Sequence, residues 1–278
     1  MKALILAAGR GKRLGSITDS INKCMLELGG RPVLEAGLDR AVELRVEEIV
    51  LVVRYRAEDI INRYGTEYRG VRIKYAIQWE PKGLVHAIEC AKDAVGESDF
   101  FLLLGDEVLR NSRHDAMLAE FRKGGAFALC GIMSQNDKQK ISRTYTVLMN
   151  ESGRVFRLIE KPKKPLNNWQ GTGHCIFKNE IFSYIERTPT HPERGEKELP
   201  DLIQCAIDDD RVVNVFNICD AYTNINSEDD LKEAERILYG KNACQRPHEI
   251  GILGERRSPP SRPIPLSARR GRRHRSPT

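Results

Sequence analysis

An α/β fold built around a mostly parallel sheet is predicted by two features of the amino-acid sequence. Five apolar runs have the length and composition of buried strands, and segments with helical periodicity lie between them. The connections are short, and this strand–helix alternation is typical of a parallel sheet that carries helices on both faces. The sequence therefore predicts a Rossmann-like α/β fold with a mostly parallel sheet and helices on both faces.

The first half of the chain provides the strands and helices of this sheet. The predicted strands are residues 3–8, 49–53, 71–77, 100–104 and 127–132, and the predicted helices are residues 33–44, 58–64, 84–95 and 115–122. Pro32 stands where the first position of a helix accepts proline. Ligands of such sheets bind beyond the carboxyl ends of the strands, so the loops at Gly9, Gln78 and Asp106 are expected to share one edge.

The second half of the chain has a different pattern. A turn with the sequence NESG separates two strands, residues 144–149 and 154–159, and predicts a β-hairpin. The remaining predicted elements are a strand near residues 173–177, helices near residues 179–186 and 199–207, a strand at residues 212–218 and a helix that ends near residue 238. Ser227 and Asp230 form a capping-box pattern at the start of that last helix. We expect these elements to complete the sheet and to build a subdomain over its edge.

The composition divides the chain into two parts. Its 278 residues with 40% hydrophobic content suffice for one large α/β domain, predicted over residues 1–240. Residues 241–278 contain ten of the 45 Lys and Arg residues and two of the 39 Asp and Glu residues, so the charge is +8 there and −2 in the rest. This Arg- and Pro-rich tail is predicted to be disordered. A solvated extension is the more common role of such a run, so nucleic-acid binding by it is not expected.

The apolar segments and cysteines indicate a cytoplasmic protein without a membrane span. No apolar run approaches the roughly 20 residues needed to cross a bilayer, and the first apolar run is too short for a secretory signal. The seven cysteines are scattered without a C-x-x-C pair, which is typical of reduced thiols and not of a disulfide framework or a zinc site.

A glycine-rich basic loop follows the first predicted strand. Residues 9–14 have the sequence GRGKRL, and Lys23 comes ten residues after Arg13. Glycine lets backbone N–H groups approach a phosphate, and arginine and lysine neutralise its charge. The spacing differs from a Walker A loop, and Leu14 stands where a dinucleotide-binding fingerprint has its third glycine. The loop is therefore predicted to bind a triphosphate.

Two further loops carry groups that suit a nucleotide and a metal ion. Asp106 follows a buried strand, where its carboxylate can hold Mg²⁺; the alternative is an ordinary turn aspartate. Glu107 is either an indirect metal ligand or solvated. The Gln78 amide can donate to and accept from a base edge, and Gly83 lets a ring approach the backbone, although this segment can also be an ordinary turn.

The end of the predicted hairpin carries two adjacent opposite charges. The Glu160 carboxylate suits sugar hydroxyl groups and the Lys161 ammonium group suits a phosphate, but exposed charge pairs are common. His174 follows as either a sugar ligand or an interior strand residue. His86 is expected to be a packing or surface residue on a helix.

Taken together, these motifs resemble the sugar-phosphate nucleotidyltransferases of the glucose-1-phosphate thymidylyl-, uridylyl- and cytidylyltransferase type. The matching segments are residues 6–14, 22–23, 78, 81–84, 104–106 and 160–162, in the family's order within roughly residues 1–238. The resemblance implies a fold of the nucleotide-diphospho-sugar transferase type. It also implies a Mg²⁺-dependent enzyme that converts an NTP and a sugar 1-phosphate into an NDP-sugar and pyrophosphate.

The resemblance also implies a role for each matching residue. The implied catalytic residues are Arg13, Lys23 and Asp106; the nucleotide-binding residues are Leu6, Ala8, Gly9, Gly11, Gln78 and Gly83; the sugar-phosphate-binding residues are Tyr145, Glu160, Lys161 and Gly173; and the metal ligands are Asp106 and Asn224. The sugar phosphate would itself attack the α-phosphorus. Because both reactants are anions, catalysis would consist mainly of charge neutralisation and alignment.

Three positions depart from the family's usual pattern. Asn22 stands where a proline usually precedes the loop lysine, and Thr146 stands where a glycine usually follows the tyrosine. Asn224 lies in the segment that usually provides a second metal-binding aspartate. An asparagine oxygen can bind Mg²⁺ but brings no charge, so metal binding should weaken unless Glu107 or Asp220 assists.

The substrates are predicted less sharply than the reaction. Gln78 with Gly83 favours a pyrimidine base, so dTTP or UTP is the predicted nucleotide, and CTP and GTP are alternatives. A cytidylyltransferase for a non-sugar phosphate such as phosphocholine, or a weakly catalytic sensor that binds a nucleotide or NDP-sugar, are alternatives. A third alternative is an RNA-binding protein that uses the tail, with strongly salt-dependent affinity. The sequence is also compatible with a homo-oligomer and does not determine the oligomeric state.

Overall fold

The computed structural model describes residues 1–240; residues 241–278, with the predicted tail, lie outside the described part. The strands are β1 (Lys2–Ala7), β2 (Glu27–Leu28), β3 (Arg31–Pro32), β4 (Ile49–Val53), β5 (Glu67–Tyr68), β6 (Val71–Ile77), β7 (Phe100–Leu104), β8 (Glu107–Arg110), β9 (Ala128–Ser134), β10 (Tyr145–Met149), β11 (Val155–Glu160), β12 (Trp169–Phe177), β13 (Val213–Asn217) and β14 (Ala221–Asn224). The α-helices are α1 (Leu34–Glu43), α2 (Ala57–Tyr64), α3 (Leu84–Cys90), α4 (Lys92–Val95), α5 (His114–Arg122), α6 (Lys138–Ile141), α7 (Leu199–Asp208) and α8 (Glu228–Tyr239). Short 3₁₀ helices are formed by Lys12–Thr18, Lys23–Met25 and Asn179–Tyr184.

A central eight-stranded sheet in the described residues has the order β13-β9-β12-β7-β1-β4-β6-β5. The strands run parallel except for β12, which lies antiparallel between β7 and β9, and β5, which pairs antiparallel with β6 at the edge. This arrangement confirms the predicted α/β fold with a mostly parallel sheet. No helix within residues 1–240 combines the length and the apolar character that a membrane crossing requires.

Both faces of the sheet are buried, which explains why its central strands are continuously apolar. Leu4 and Leu102 point into the cluster that α3 and α7 cover, and Ile5 and Leu51 point into the cluster that α1 and α5 cover. Side chains on a strand alternate between its two faces, so each strand contributes to both clusters. Burial of such a side chain stabilises the fold by roughly 1.5–3 kcal/mol.

Two smaller sheets and α8 complete the edge above the central sheet. The hairpin β10–β11 packs on α7, and β14 pairs antiparallel with β8. The Ser227 side chain accepts from the Asp230 N–H at 3.3 Å, which confirms the predicted N-cap, whereas Asp230 Oδ2 accepts from the N–H of the preceding residue, Asn226, at 3.1 Å and not from that of Ser227. Helix α8 therefore begins at a fixed point beside the strand that ends at Asn224.

Three local predictions were wrong. Pro32 pairs with Glu27 in a short hairpin, so α1 begins two residues later with Val33 as its N-cap residue. The predicted helix over residues 84–95 is divided at Ala91 into α3 and α4. Strand β8 was not predicted, because Glu107 at its start was interpreted as part of a loop; it depends on pairing with β14, which lies more than 100 residues further along the chain.

Candidate active site

The carboxyl edge of the parallel sheet carries the candidate active site. The loops after β1, β6 and β7 leave the sheet at this edge, as predicted. The Gly105 N–H donates to the Leu6 carbonyl oxygen at 2.9 Å, and a Cβ at position 105 would lie 3.0 Å from that oxygen. Leu6 and Ala8 are buried beneath the loop that follows. Glycine at position 105 therefore lets the first and third loops approach closely.

The glycine-rich loop is shaped by its contact with Lys23. Gly11 has a φ of 73°, in the left-handed region, and a Cβ there would lie 3.0 Å from the Lys23 side chain. Gly9 and Arg13 are exposed. The loop is thus open to solvent at the edge where Lys23 lies, as binding of a phosphate chain would require.

Lys23 and Asp106 meet at this edge, although they lie 83 residues apart in the sequence. The Lys23 ammonium group donates to Asp106 Oδ2 and lies 3.4 Å from Oδ1 of Asn226. Burial opposes the charge of Lys23, which is 9% exposed, but the Asp106 carboxylate outweighs this effect and the pKa of Lys23 is raised. Lys23 therefore brings a lasting positive charge to the site.

Asn22 fixes the position of Lys23 from the preceding residue. Its Nδ2 donates to the carbonyl oxygens of Ala7 at 3.0 Å and Tyr55 at 2.7 Å, and its Oδ1 accepts from the Cys24 N–H at 2.8 Å. A proline could make none of these side-chain hydrogen bonds. Where the family usually has a rigid proline ring, this chain therefore has an asparagine that is held by three hydrogen bonds.

Gln78 follows β6 at the same edge and is held by two neighbours. Its side chain is 5% exposed, and its Nε2 lies 2.9 Å from the Gly83 carbonyl oxygen and 3.1 Å from Nδ1 of His86. The structure thus brings the two predicted base-binding residues together. The contact with His86 was missed, because it depends on how the first turn of α3 faces β6.

A pocket of about 210 Å³ lies between this edge and the hairpin β10–β11. The predicted site residues in its lining are Arg13, Tyr145, Glu160, Lys161, Gly173 and Asn224. Residues that were not predicted from the sequence also line it, among them Arg143 and Glu198. The structure therefore brings the predicted acceptor residues together with the cation of the glycine-rich loop.

Tyr145 and Gly173 shape the pocket wall through packing and backbone contacts. The Tyr145 hydroxyl donates to the Thr172 carbonyl oxygen at 3.0 Å, and a Cβ at Gly171 would collide with the tyrosine ring. The Gly173 N–H donates to the Glu107 carboxylate at 3.0 Å. Because that hydroxyl hydrogen and that N–H are engaged by protein groups, a contact with sugar would use the tyrosine oxygen as an acceptor, the tyrosine ring or the glycine carbonyl.

Glu160 and Lys161 lie side by side at the end of β11. Lys161 Nζ lies 2.8 Å from Glu160 Oε1. Burial raises the pKa of the Glu160 carboxyl group, and the Lys161 ammonium group only partly opposes this effect. Thr146, on the neighbouring strand, is buried and its hydroxyl donates to the Trp169 carbonyl oxygen at 2.7 Å. The departure at position 146 thus strengthens the hairpin wall.

Glu107 is buried and does not have the solvated position that was one of its two interpretations. Its carboxylate accepts from the Tyr222 hydroxyl at 2.6 Å and lies 3.2 Å from Nε2 of His174, whose Nδ1 lies 2.7 Å from Nε2 of His114. His174 is therefore an interior strand residue and not a sugar ligand. Through its contacts with Gly173 and His174 of β12 and with Tyr222 of β14, Glu107 connects β8 to both strands at the pocket.

The two asparagines at the end of β14 have different positions. Asn224 pairs with Glu107 in the β14–β8 ladder, whereas Asn226 reaches Lys23 beside Asp106. Asp220, considered as an assisting carboxylate, lies 2.7 Å from Arg113 through an exposed ion pair and does not line the pocket. Asn226 lies two residues after Asn224 in the segment expected to provide the second metal ligand, and its contact with Lys23 shows that it is the asparagine beside the Lys23–Asp106 pair.

Comparisons with known proteins agree with this geometry. The family model described as "Nucleotidyl transferase" matches residues 2–236. The UTP–glucose-1-phosphate uridylyltransferase AglF of Haloferax volcanii is 36% identical over 240 residues, which cover 86% of this chain and 96% of that protein. A glucose-1-phosphate thymidylyltransferase of Streptomyces griseus is 30% identical over 258 residues, which cover 92% of this chain and 70% of that protein. The chain spans only 66% and 56% of two longer relatives.

The fold is also shared with solved structures. A UDP-glucose pyrophosphorylase complexed with UDP-glucose superposes with a TM-score of 0.76 at 21% identity, covering 86% of this chain and 98% of that one. The matched region contains the glycine-rich loop, the Lys23–Asp106 pair and the acceptor pocket. The chain therefore belongs to the nucleotidyl transferase family, and within it to the sugar-phosphate nucleotidyltransferases.

Proposed function

We propose that this enzyme requires Mg²⁺ and joins UTP or dTTP to a sugar 1-phosphate, with release of pyrophosphate. The observation that carries the proposal is the contact between Lys23 and Asp106. The buried Lys23 side chain contacts Gly11 of the glycine-rich loop on one side and Asn226, which lines the same pocket as Glu160 and Lys161, on the other. Both reacting phosphates are negatively charged, so a cation such as Lys23 is needed where they approach each other.

Charge neutralisation and alignment would lower the barrier. The acceptor phosphate attacks the α-phosphorus of the NTP, and pyrophosphate leaves in line. Lys23 would neutralise the α-phosphate, Arg13 the β- and γ-phosphates and Lys161 the acceptor phosphate. A phosphate monoester has a second pKa near 6, so at neutral pH the nucleophile is already ionised and no general base is required.

Mg²⁺ would be held by Asp106, with the amide oxygens of Asn226 and Asn224 as neutral ligands. Within residues 1–240 no group of three or more His, Cys, Asp and Glu side chains could hold a metal ion, so the proposed site has few charged protein ligands. This set fits Mg²⁺, which takes one or two carboxylates and completes its shell with phosphate oxygens and water. The ion would supply further charge neutralisation on the phosphates.

The preference for UTP or dTTP rests on Gln78. The Gly83 carbonyl can only accept, so Nε2 must face it, and Nδ1 of His86 contacts the same nitrogen. These contacts engage the amide nitrogen, so Oε1 is the atom that Gln78 can offer to a ligand, as an acceptor. The N3–H of uracil or thymine can donate to it, whereas N3 of cytosine carries no hydrogen. The name of the 36% identical relative supports the same choice.

Release of pyrophosphate tests the whole proposal. The full chain is incubated with Mg²⁺, one of five NTPs (dTTP, UTP, CTP, GTP and ATP) and a panel of sugar 1-phosphates, with phosphocholine as the non-sugar acceptor. We expect release with UTP or dTTP and a sugar 1-phosphate, and none after addition of EDTA. Release only with CTP and phosphocholine would contradict the sugar assignment, and bound nucleotide without any release would favour the sensor.

As the pH is lowered, activity is expected to begin to decline at a higher pH than it would if Glu160 had the pKa of an ordinary glutamate. Glu160 must be ionised to accept from sugar hydroxyls, and burial raises its pKa, so its protonation begins at a higher pH than usual as the pH falls. In Glu160→Gln the part of the acidic limb of kcat/KM that belongs to Glu160 should disappear, so the limb should become less steep, whereas the part caused by protonation of the acceptor phosphate should stay. KM for the sugar phosphate should rise. Circular dichroism over the same pH range controls for unfolding. An unchanged limb in the variant would contradict the role of Glu160.

A further inference from the structure

His86 takes no part in the proposed transfer, yet it contacts the residue proposed to read the base. It lies in the first turn of α3, three residues after Gly83. Its Nδ1 lies 3.1 Å from Nε2 of Gln78, and its Nε2 lies 3.7 Å from the sulfur of Cys90, one turn further along the helix. Gln78, His86 and Cys90 thus form a chain that leads away from the nucleotide edge.

The Gly83 carbonyl determines the donors and acceptors of this chain. Because a carbonyl only accepts, it takes one hydrogen of the Gln78 amide nitrogen. The same nitrogen can only donate to His86, so Nδ1 must be the acceptor and Nε2 must carry the ring hydrogen. That hydrogen faces the sulfur of Cys90, and burial raises the pKa of the Cys90 thiol, which keeps this partner neutral.

We propose that His86 is a positioning residue for base selection, because it accepts from Gln78 and holds the amide with its carbonyl oxygen toward the nucleobase. An amide has nearly the same shape in both orientations, so only its hydrogen bonds distinguish them. In one orientation Gln78 offers an acceptor to the N3–H of uracil or thymine. In the other it would offer an NH₂ group, which suits the bare N3 of cytosine. This inference rests on the proposed function, since it takes Gln78 as the residue that meets the base.

The expected contribution is moderate, because Gly83 still favours the same orientation. Loss of the bond to His86 removes one of the two hydrogen bonds that hold the amide nitrogen. We expect the preference for UTP over CTP to fall by about twofold to tenfold, the range for one neutral hydrogen bond. A purely structural role of His86 would weaken the binding of both nucleotides alike.

Three variants of the full chain separate these cases. His86→Leu removes the acceptor and keeps a side chain of similar bulk. His86→Asn keeps an acceptor near the position of Nδ1, whereas His86→Gln places its polar group near the position of Nε2, where it faces Cys90 and not Gln78. Isothermal titration calorimetry with UTP and with CTP, in the presence of Mg²⁺, gives the two dissociation constants and their ratio for each protein. Thermal unfolding shows that each variant is folded.

The proposal expects a reduced ratio in His86→Leu and His86→Gln, and a ratio close to that of the wild type in His86→Asn. The same ratio in His86→Leu as in the wild type, or equal loss of both affinities without rescue by His86→Asn, would overturn it. A wild type that binds UTP no better than CTP would overturn it as well. Because the readout is binding, a wild type that prefers UTP but releases no pyrophosphate would contradict the proposed transfer and still leave the role of His86 to be decided by the ratios.

Discussion

Replacement of Asp106 by asparagine is expected to lower kcat by about 10²- to 10⁴-fold, because the site would lose the only carboxylate proposed to hold Mg²⁺. The change keeps the shape of the side chain and an oxygen that can accept from the Lys23 ammonium group. The fold should therefore persist, and nucleotide binding should become less dependent on Mg²⁺. Pyrophosphate release at several Mg²⁺ concentrations, together with circular dichroism, measures both effects.

Asp220→Asn is the matched control for this variant. Asp220 is an exposed carboxylate that forms an ion pair with Arg113 at 2.7 Å and hydrogen bonds with Asn111 at 2.9 Å, outside the lining of the pocket. Exposed pairs of this kind contribute little to stability, so the turnover of Asp220→Asn should stay near that of the wild type. Similar turnover in the two variants would contradict the assignment of Asp106 as a metal ligand.

Replacement of Lys23 by methionine is expected to reduce kcat by about 10²- to 10³-fold, with a smaller change in KM for the NTP. Methionine keeps the apolar stem that packs against Gly11 but removes the charge beside Asp106. If Lys23 acts on the charge that develops during transfer, its loss should affect the transition state more than the bound substrate. Steady-state kinetics of pyrophosphate release separates the two parameters.

Lys74→Met makes the same chemical change at an exposed position of β6 and should leave both kcat and KM unchanged. A variant at Lys23 with an increased KM and an unchanged kcat would show that the lysine only binds the substrate. Normal values for both parameters would contradict its assignment to the reaction. Thermal unfolding is needed as a control, because Lys23→Met leaves the Asp106 carboxylate without its partner.

The central sheet could be predicted from the sequence because the continuously apolar composition of its strands indicates that both of their faces are buried. Strands β4 and β7 are apolar at every position and buried on both faces, and their predicted bounds agree with the structure. The rule that ligands bind at the carboxyl edge also predicted that the loops at Gly9, Gln78 and Asp106 share one edge of the sheet. Fold and location of the site thus follow from short-range patterns and one topological rule.

Other features depend on pairing between distant segments and could not be predicted. Pro32 fits the start of a helix equally well, and only its pairing with Glu27 shows that it belongs to a hairpin. The side of β14 that faces Glu107 depends on the register of a two-stranded ladder, and a shift by one residue would exchange the environments of its neighbours. Asn226 lies beyond the end of β14, and only its contact with Lys23 distinguishes it from Asn224 as the neighbour of that lysine.

The antiparallel strand β12 has a consequence for how this enzyme could diversify. Because β12 runs against β7, its first residues reach the edge where β7 ends, with Gly173 beside Leu104. The acceptor wall is thus built by a separate stretch of chain, from Tyr145 to Glu198, while the glycine-rich loop, Gln78 and Asp106 all precede it. Under the proposed function, mutations in that stretch would change which phosphorylated compound is accepted while the residues proposed for nucleotidyl transfer are kept, so new acceptors could evolve on an unaltered nucleotide-binding half.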